Sequence, residues 1–312
     1  MTIKRVAEGG ATTSDGSVRL LGGVVPPILT PFDERGEVDE GSLRSLASFL
    51  VGAGVDGLYV CGTTGEFPLL TSAERRRVLE VVLGEVRGRI AVYAHVGAAG
   101  TAETVGLARH AVEAGADGVG AITPYFFRYD DDALRCHYLT LAEAVTPLPV
   151  YLYNLPVYAN NAVSPDLADE LYRRAPTIVG LKDSSGDLDV LRAHRAVSPG
   201  RTVSLLSGTD GLNLAALQLG SDGMISGNAN PVPEPFVALV RAWRAGDAGA
   251  VLAAQGQIDA ARSALANGAR LADFKAVLVA RGVLRCAAVR APHPPARDGR
   301  QLLTDLEEAL CA

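Results

Sequence analysis

The sequence predicts an α/β fold, a (β/α)8 TIM barrel with additional C-terminal helices. Two observations lead there and a third removes the main rival. Eight short apolar runs alternate with amphipathic segments of helical period. The tetrapeptides GVDG at 54–57, GADG at 115–118 and GSDG at 220–223 each join a helical segment to the next apolar run. Glycine at that place supplies the left-handed residue that ends a helix and turns the chain into a strand. An open doubly wound sheet of this length would carry a glycine-rich nucleotide loop after its first strand. The first run here ends instead in Leu29, Thr30, Pro31 and Phe32.

Taken in order, the expected strands are 24–30, 55–61, 90–96, 118–123, 149–153, 178–182, 203–206 and 223–226. Between them the helical patterns cover 40–51, 72–86, 102–114, 131–144, 165–174, 188–196 and 212–219. Thr71 and Glu74 have capping-box spacing, and Ser164 before Pro165 reads as an N-cap followed by the first helical position. Four further helices are expected at 233–244, 248–266, 271–281 and 300–309. The implied organisation is a disordered tail over 1–22, the barrel over 23–231, and a helical appendage packed on the barrel over 232–312.

Composition narrows the function. With 312 residues, 48% of them hydrophobic, the chain can bury a large core. A net charge of −6 without a basic block speaks against nucleic acid and anionic membranes as partners. No apolar stretch has the length of a membrane span, and the first residues lack a signal-peptide core, so a cytoplasmic protein is expected. Cys61, Cys136, Cys286 and Cys311, and the five scattered histidines, have no metal-type spacing, so no metal cluster is expected.

The most informative run is IVGLKDSS at 178–185. Lysine is scarce: the only others are Lys4 and Lys275. A run rich in Ile, Val and Leu reads as a strand buried on both faces, and Lys182 stands at its end. Burying an ammonium costs several kcal/mol unless it is paired or neutralised. A neutral amine at a strand end is what Schiff-base chemistry on a carbonyl requires. The competing reading is a structural ion pair with a carboxylate such as Asp183.

Barrels of this class carry their active sites at the C-terminal ends of the strands. The second strand ends in CGTTGE at 61–66, where hydroxyls and backbone N–H groups suit a small anion such as a carboxylate; an ordinary hydrogen-bonded turn is the alternative. The fifth ends in YLYNLP at 151–156. Alternation puts Tyr151 and Tyr153 on one face and Ile178, Gly180 and Lys182 on one face of the next strand. If Tyr153 and Lys182 both point inward, a phenol stands beside the amine; a core tyrosine with its hydroxyl satisfied is the alternative. A phenol there can pass protons. The seventh and eighth end in SGTDG at 207–211 and SGNAN at 226–230. Their small polar residues suit a hydroxylated or carboxylated substrate, and Asp210 also reads as a helix N-cap.

GTTGE at 62–66, YNLP at 153–156 and GLKD at 180–183, in this order and each at a predicted strand end, resemble the dihydrodipicolinate synthase/N-acetylneuraminate lyase family of class I Schiff-base aldolases. The resemblance runs from Val24 through the C-terminal helices. It implies a homotetramer built as a dimer of dimers, acting without metal or organic cofactor on a 2-keto acid and an aldehyde. Position by position, it implies that Lys182 forms the imine, Tyr153 donates and accepts protons, and Thr63 links Tyr153 into a relay. Thr64 would hold the substrate carboxylate and Ile225 would make a backbone contact to pyruvate. Ser184, Gly208, Asp210, Ser226 and Asn228 are the candidates for the rest of the substrate.

Two positions depart from the family. Phe126 stands where a relay tyrosine reaching a neighbouring subunit is usual, leaving Tyr125, Tyr129 or a water to replace it. Tyr158 stands where the synthases of lysine biosynthesis carry an arginine for the carboxylate of aspartate semialdehyde. Losing that bidentate clamp removes a strong specificity element. The expected activity is therefore a lyase or aldolase on pyruvate or a 2-keto-3-deoxy acid, of the 2-keto-3-deoxygluconate or 4-hydroxy-2-oxoglutarate aldolase type. A true dihydrodipicolinate synthase, a dehydratase using the same imine, and a non-catalytic keto-acid sensor are the alternatives.

Overall fold

The computed structural model describes residues 3–4, 18–197 and 203–311. Strands β1 (Gly23–Val24), β2 (Gly57–Val60), β3 (Ala91–His95), β4 (Gly118–Ile122), β5 (Val150–Asn154), β6 (Ile178–Asp183), β7 (Ser204–Ser207) and β8 (Gly223–Met224) form one sheet in the order β1-β8-β7-β6-β5-β4-β3-β2. They alternate with α1 (Glu40–Ala53), α2 (Ser72–Val86), α3 (Thr101–Ala114), α4 (Asp131–Val145), α5 (Pro165–Arg174), α6 (Leu188–Ala196), α7 (Asn213–Gln218) and α8 (Glu234–Ala245). This is the (β/α)8 barrel the alternation predicts. Since α8 is the helix that follows β8, the additional helices are α9 (Ala248–Ala264), α10 (Leu271–Ala280) and α11 (Gly299–Cys311). The first expected strand, 24–30, is ladder-bonded only over Gly23–Val24, with one further bridge from Pro27 to Tyr59. Pro26 and Pro27 have no N–H to give to a ladder.

The GxDG tetrapeptides do more than turn the chain. Gly54, Gly115 and Gly220 take φ of +86°, +82° and +88°, the left-handed values expected of them. The aspartate in each then clips a strand: Asp56, Asp117 and Asp222 accept the N–H of Val24, Val92 and Leu205 at 2.8, 2.8 and 2.9 Å. Each aspartate N–H donates back to the carbonyl of that same residue, at 2.8, 2.9 and 2.7 Å. The two-way bond satisfies strand-start groups that the ladder leaves open.

The chain divides into two compact units, 1–22 with 91–225 and 23–90 with 226–312. The interior of the first is layered. Tyr93 and Tyr151 meet edge to face with centroids 5.3 Å apart, over Gly118 and Gly180. A Cβ on either glycine would stand 2.1 Å from Tyr93 or 2.3 Å from Tyr151, so the layer needs both glycines. Two residues further along the strands lie His95, Tyr153 and Lys182, the next inward layer. Most of the expected disordered tail, residues 1–2 and 5–17, lies outside the described residues. Its described end belongs to this unit's core. Leu20 and Leu21 are buried, Leu21 N–H donates to the Tyr151 hydroxyl at 2.9 Å, and its carbonyl accepts from Ser204 at 2.7 Å.

In the second unit, the capping box of α2 forms as expected, and Glu74 does a second task. Its carboxylate pairs with Arg290, whose guanidinium also donates to Leu69 O at 2.7 Å and Gly36 O at 2.9 Å. The Arg290 bond holds the Glu74 carboxyl down at about 2, against 4.5 in the open chain. Among the described residues, no helix is long and apolar enough to cross a membrane.

The sign of the Glu74 effect follows. A carboxyl depressed by folding adds stability that is complete above pH 4.5 and is lost as pH falls toward 2. After discounting for solvent screening, this is about 1–2 kcal/mol. Urea unfolding of Arg290→Met is expected to show that deficit against wild type at pH 6 and a clearly smaller one at pH 3.

Candidate active site

In the first unit the sequence places a lysine inside the barrel by simple alternation, with one correction of phase. Between β5 and β6 the register shifts: Val150 faces Ile178, but Tyr151 faces Gly180. An extra residue on β6 therefore precedes the part that matters, and from Gly180 on the pairing is regular. Tyr153 then faces Lys182, and Asn154 faces Asp183. Lys182 is 4% exposed and Tyr153 2%. The amine lies 3.8 Å from the centroid of the Tyr153 ring, against its face. The electron-rich face gives a positive nitrogen some recompense for lost water.

Asp183 lies on the other side of the strand and serves the following loop. Its carboxylate accepts from the Asn154 amide and from the Ser185 hydroxyl, both at 2.7 Å. Asn154 also accepts Val163 N–H at 3.0 Å, so one buried amide ties the ends of β5 and β6 to the start of the next segment. Ser184 N–H donates to Asn154 O at 2.8 Å, and Gly208 N–H to Asp183 O at 2.7 Å. A Cβ at Gly208 would stand 1.9 Å from the Ser184 hydroxyl oxygen, so these two candidates touch and only glycine fits. Buried Ile225 donates its N–H to Ser207 O at 2.8 Å. Asp210 is 8% exposed and opens the short turn Asp210–Leu212; Thr209, not Asp210, holds the N-cap place.

His95 is the residue that sequence reading passes over, as one of five scattered histidines. It is buried at the end of β3, edge-on to Tyr153 with ring centroids 5.9 Å apart. Its Nε2 accepts the N–H of Ile122 at 3.2 Å, which assigns its proton to Nδ1. The signal was available: Tyr93 and His95 repeat on β3 the spacing of Tyr151 and Tyr153 on β5. Phe126 has φ of +82° and is 79% exposed. Asn161 staples its loop, donating to Pro124 O at 2.8 Å and Phe127 O at 2.6 Å and accepting Tyr129 N–H at 2.8 Å. Phe127, Val157 and Tyr158 are exposed as well.

The second unit carries the threonine loop. Thr63 and Thr64 are half-buried in a turn closed by Gly65 N–H to Gly62 O and Glu66 N–H to Thr63 O, both at 3.0 Å. The Thr30 hydroxyl donates to Gly65 O at 2.8 Å. Two non-glycine residues in left-handed backbone bracket the turn, Cys61 at φ +57° and Glu66 at φ +59°. Each costs about 1 kcal/mol or more, which the surroundings must hold in place. Burial pushes the Cys61 thiol up to about 11, so it stays protonated. Gly227 brings the loop after β8 against Thr64; a Cβ there would lie 3.1 Å from its hydroxyl oxygen. Ser226 is buried with its hydroxyl accepting Ala229 N–H at 3.2 Å, and Asn228 is 6% exposed. Among the described residues, no three His, Cys, Asp or Glu side chains are grouped to share a metal ion.

A (β/α)8 barrel with a buried lysine ending β6 against a tyrosine ending β5 is the framework of a class I, Schiff-base lyase. The chain belongs to the dihydrodipicolinate synthetase family, whose sequence profile matches residues 20–309. It is 40% identical to a 4-hydroxy-tetrahydrodipicolinate synthase of Methanopyrus kandleri over 72% of this chain and 75% of the relative. It is 37% identical to a probable 2-dehydro-3-deoxy-D-pentonate aldolase of Escherichia coli, over 74% of this chain and 77% of that one. The crystal structure of a prophage protein of the dihydrodipicolinic acid synthase family from Escherichia coli K12, in complex with pyruvate, superposes with a TM-score of 0.88 at 30% identity. That match covers 93% of this chain and 99% of the other.

Removing the Asn154 amide leaves the Asp183 carboxylate and Val163 N–H short of partners in the interior. Asn154→Ala is expected to cost about 2–3 kcal/mol in urea unfolding, whereas Ser185→Ala, which removes one bond at a half-buried hydroxyl, costs about 1 kcal/mol or less.

Proposed function

We propose that this protein is a lyase that cleaves, or in reverse forms, 2-keto-3-deoxy acids with uncharged, hydroxylated tails, through an imine on Lys182. The carrying observation is the Lys182 amine, buried and held against the Tyr153 ring at the mouth end of two adjacent strands. The amine adds to the keto carbon, and loss of water gives the imine. A base takes the proton of the C4 hydroxyl, the C3–C4 electron pair moves into the protonated imine, and the aldehyde leaves. The enamine takes a proton at C3, and water releases pyruvate. Tyr153 is assigned the proton transfers, Thr63 the relay and Thr64 the carboxylate. Ile225, Ser184, Gly208, Asp210, Ser226 and Asn228 are assigned the rest of the substrate.

The tail preference is supported by Tyr158, which offers no cation where the lysine-biosynthesis synthases have arginine, and by the aldolase relative. The synthase relative keeps a true synthase as the second reading. A cytoplasmic homotetramer, as a dimer of dimers, completes the proposal. Four free cysteines suit a reducing compartment, and exposed Phe126, Phe127, Val157 and Tyr158 offer an apolar contact surface.

Borohydride reduction in the presence of pyruvate is expected to leave a mass adduct on Lys182 that is absent in Lys182→Ala. No adduct with pyruvate or any longer 2-keto acid would overturn the imine. Turnover of aspartate semialdehyde faster than of 2-keto-3-deoxy acids would select the synthase. Sedimentation is expected to find a tetramer, and Phe126→Asp with Tyr158→Asp a smaller species; a wild-type monomer would remove the assembly from the proposal.

A further inference from the structure

The most deeply buried ion pair among the described residues does not involve Lys182. Lys275 on α10 and Glu66 are both wholly buried, with Nζ 2.6 Å from Oε1. Nζ also donates to Ala288 O at 2.8 Å, and the second carboxylate oxygen of Glu66 accepts Arg290 N–H at 3.1 Å. Lys275 and Arg290 lie over the Phe32 ring at 4.3 and 4.6 Å from its centroid. Burial drives the Lys275 ammonium down and Glu66 opposes it. A buried pair of this kind stabilises poorly compared with packed apolar side chains, so its retention calls for another reason.

What the pair grips supplies that reason. Glu66 is the last residue of the threonine turn, stands in left-handed backbone, and bonds through its own N–H to Thr63 O. Arg290 fastens the continuation at Leu69 O and Glu74. Phe274, the neighbour of Lys275, reaches the same turn through Gly227, whose Cβ position lies 3.5 Å from Phe274 and 3.1 Å from the Thr64 hydroxyl. Thus α10 and the segment after it hold the turn at Glu66 and back the loop that covers Thr64.

We propose that Glu66 and Lys275 are positioning residues that set the substrate-carboxylate site at Thr64, making ground-state binding depend on the C-terminal helices. The inference rests on the carboxylate role given to Thr64 above. A loosened turn loses the preset anion site while leaving the Lys182 amine in place. Binding therefore falls more than the rate at saturation.

The test measures the pyruvate dependence of borohydride trapping on wild type, Glu66→Gln and Arg290→Met. Glu66→Gln keeps the shape but only one acceptor oxygen, setting an NH2 donor against either Lys275 Nζ or Arg290 N–H; Arg290→Met loosens the same strap from a less buried side. The half-saturating pyruvate concentration is expected to rise about tenfold or more in Glu66→Gln and less in Arg290→Met, with trapping at saturation within about threefold of wild type. If Glu66→Gln does not fold, Arg290→Met alone decides. Lowered melting temperature with unchanged half-saturation in the folded variants would overturn the proposal and leave the pair merely structural. Wild type that traps no pyruvate would instead overturn the imine reading, a distinguishable outcome.

Discussion

The register of β5 against β6 is the constraint on which the site depends. Had the pairing continued without the shift at Ile178, every later side chain of β6 would sit on the opposite face. Lys182 would then leave the barrel interior and Asp183 would enter it. The shift is held on the lower side by Gly180, where Tyr151 and Ser204 leave no room for a side chain. On the upper side the Asn154–Asp183 bond locks the last pair. Position of the amine is thus a property of several glycines and amides, not of the lysine alone.

Two of the three lysines are buried within described structure, in different surroundings. Lys275 donates to a carboxylate at 2.6 Å and to a carbonyl at 2.8 Å, so its nitrogen is engaged by two acceptors. Lys182 has its amine 3.8 Å from the centroid of the Tyr153 ring, against the aromatic face.

Most of the fold could be read in the chain because its signals are local. Strand and helix limits follow from apolar period, from left-handed glycines such as Gly54 and Gly115, and from the Thr71–Glu74 box. Adjacent-strand alternation likewise brought Tyr153 to Lys182. What could not be read were side chains whose meaning comes from distant partners. Glu66 and Lys275 are 209 residues apart, and nothing local marks either as half of a pair. The contact of His95 with Tyr153 was hidden for the same reason, and Leu20 and Leu21 looked like the end of a polar tail. A helix following β8 and a helix of an appendage have the same sequence pattern, so sequence alone does not separate residues 234–245 from the helices after them.

The aspartate clips at the strand starts bear on how the chain finds this fold. Each joins residues close in sequence, with separations of 32, 25 and 17. Closing loops of such lengths costs little more entropy for the longest than for the shortest. Each clip completes a strand–helix–strand or strand–helix–turn segment using contacts within that segment. Parallel sheets are slow to assemble when their pairings must wait for distant partners. A chain with such local closures can fix these three strand starts before more distant pairings form.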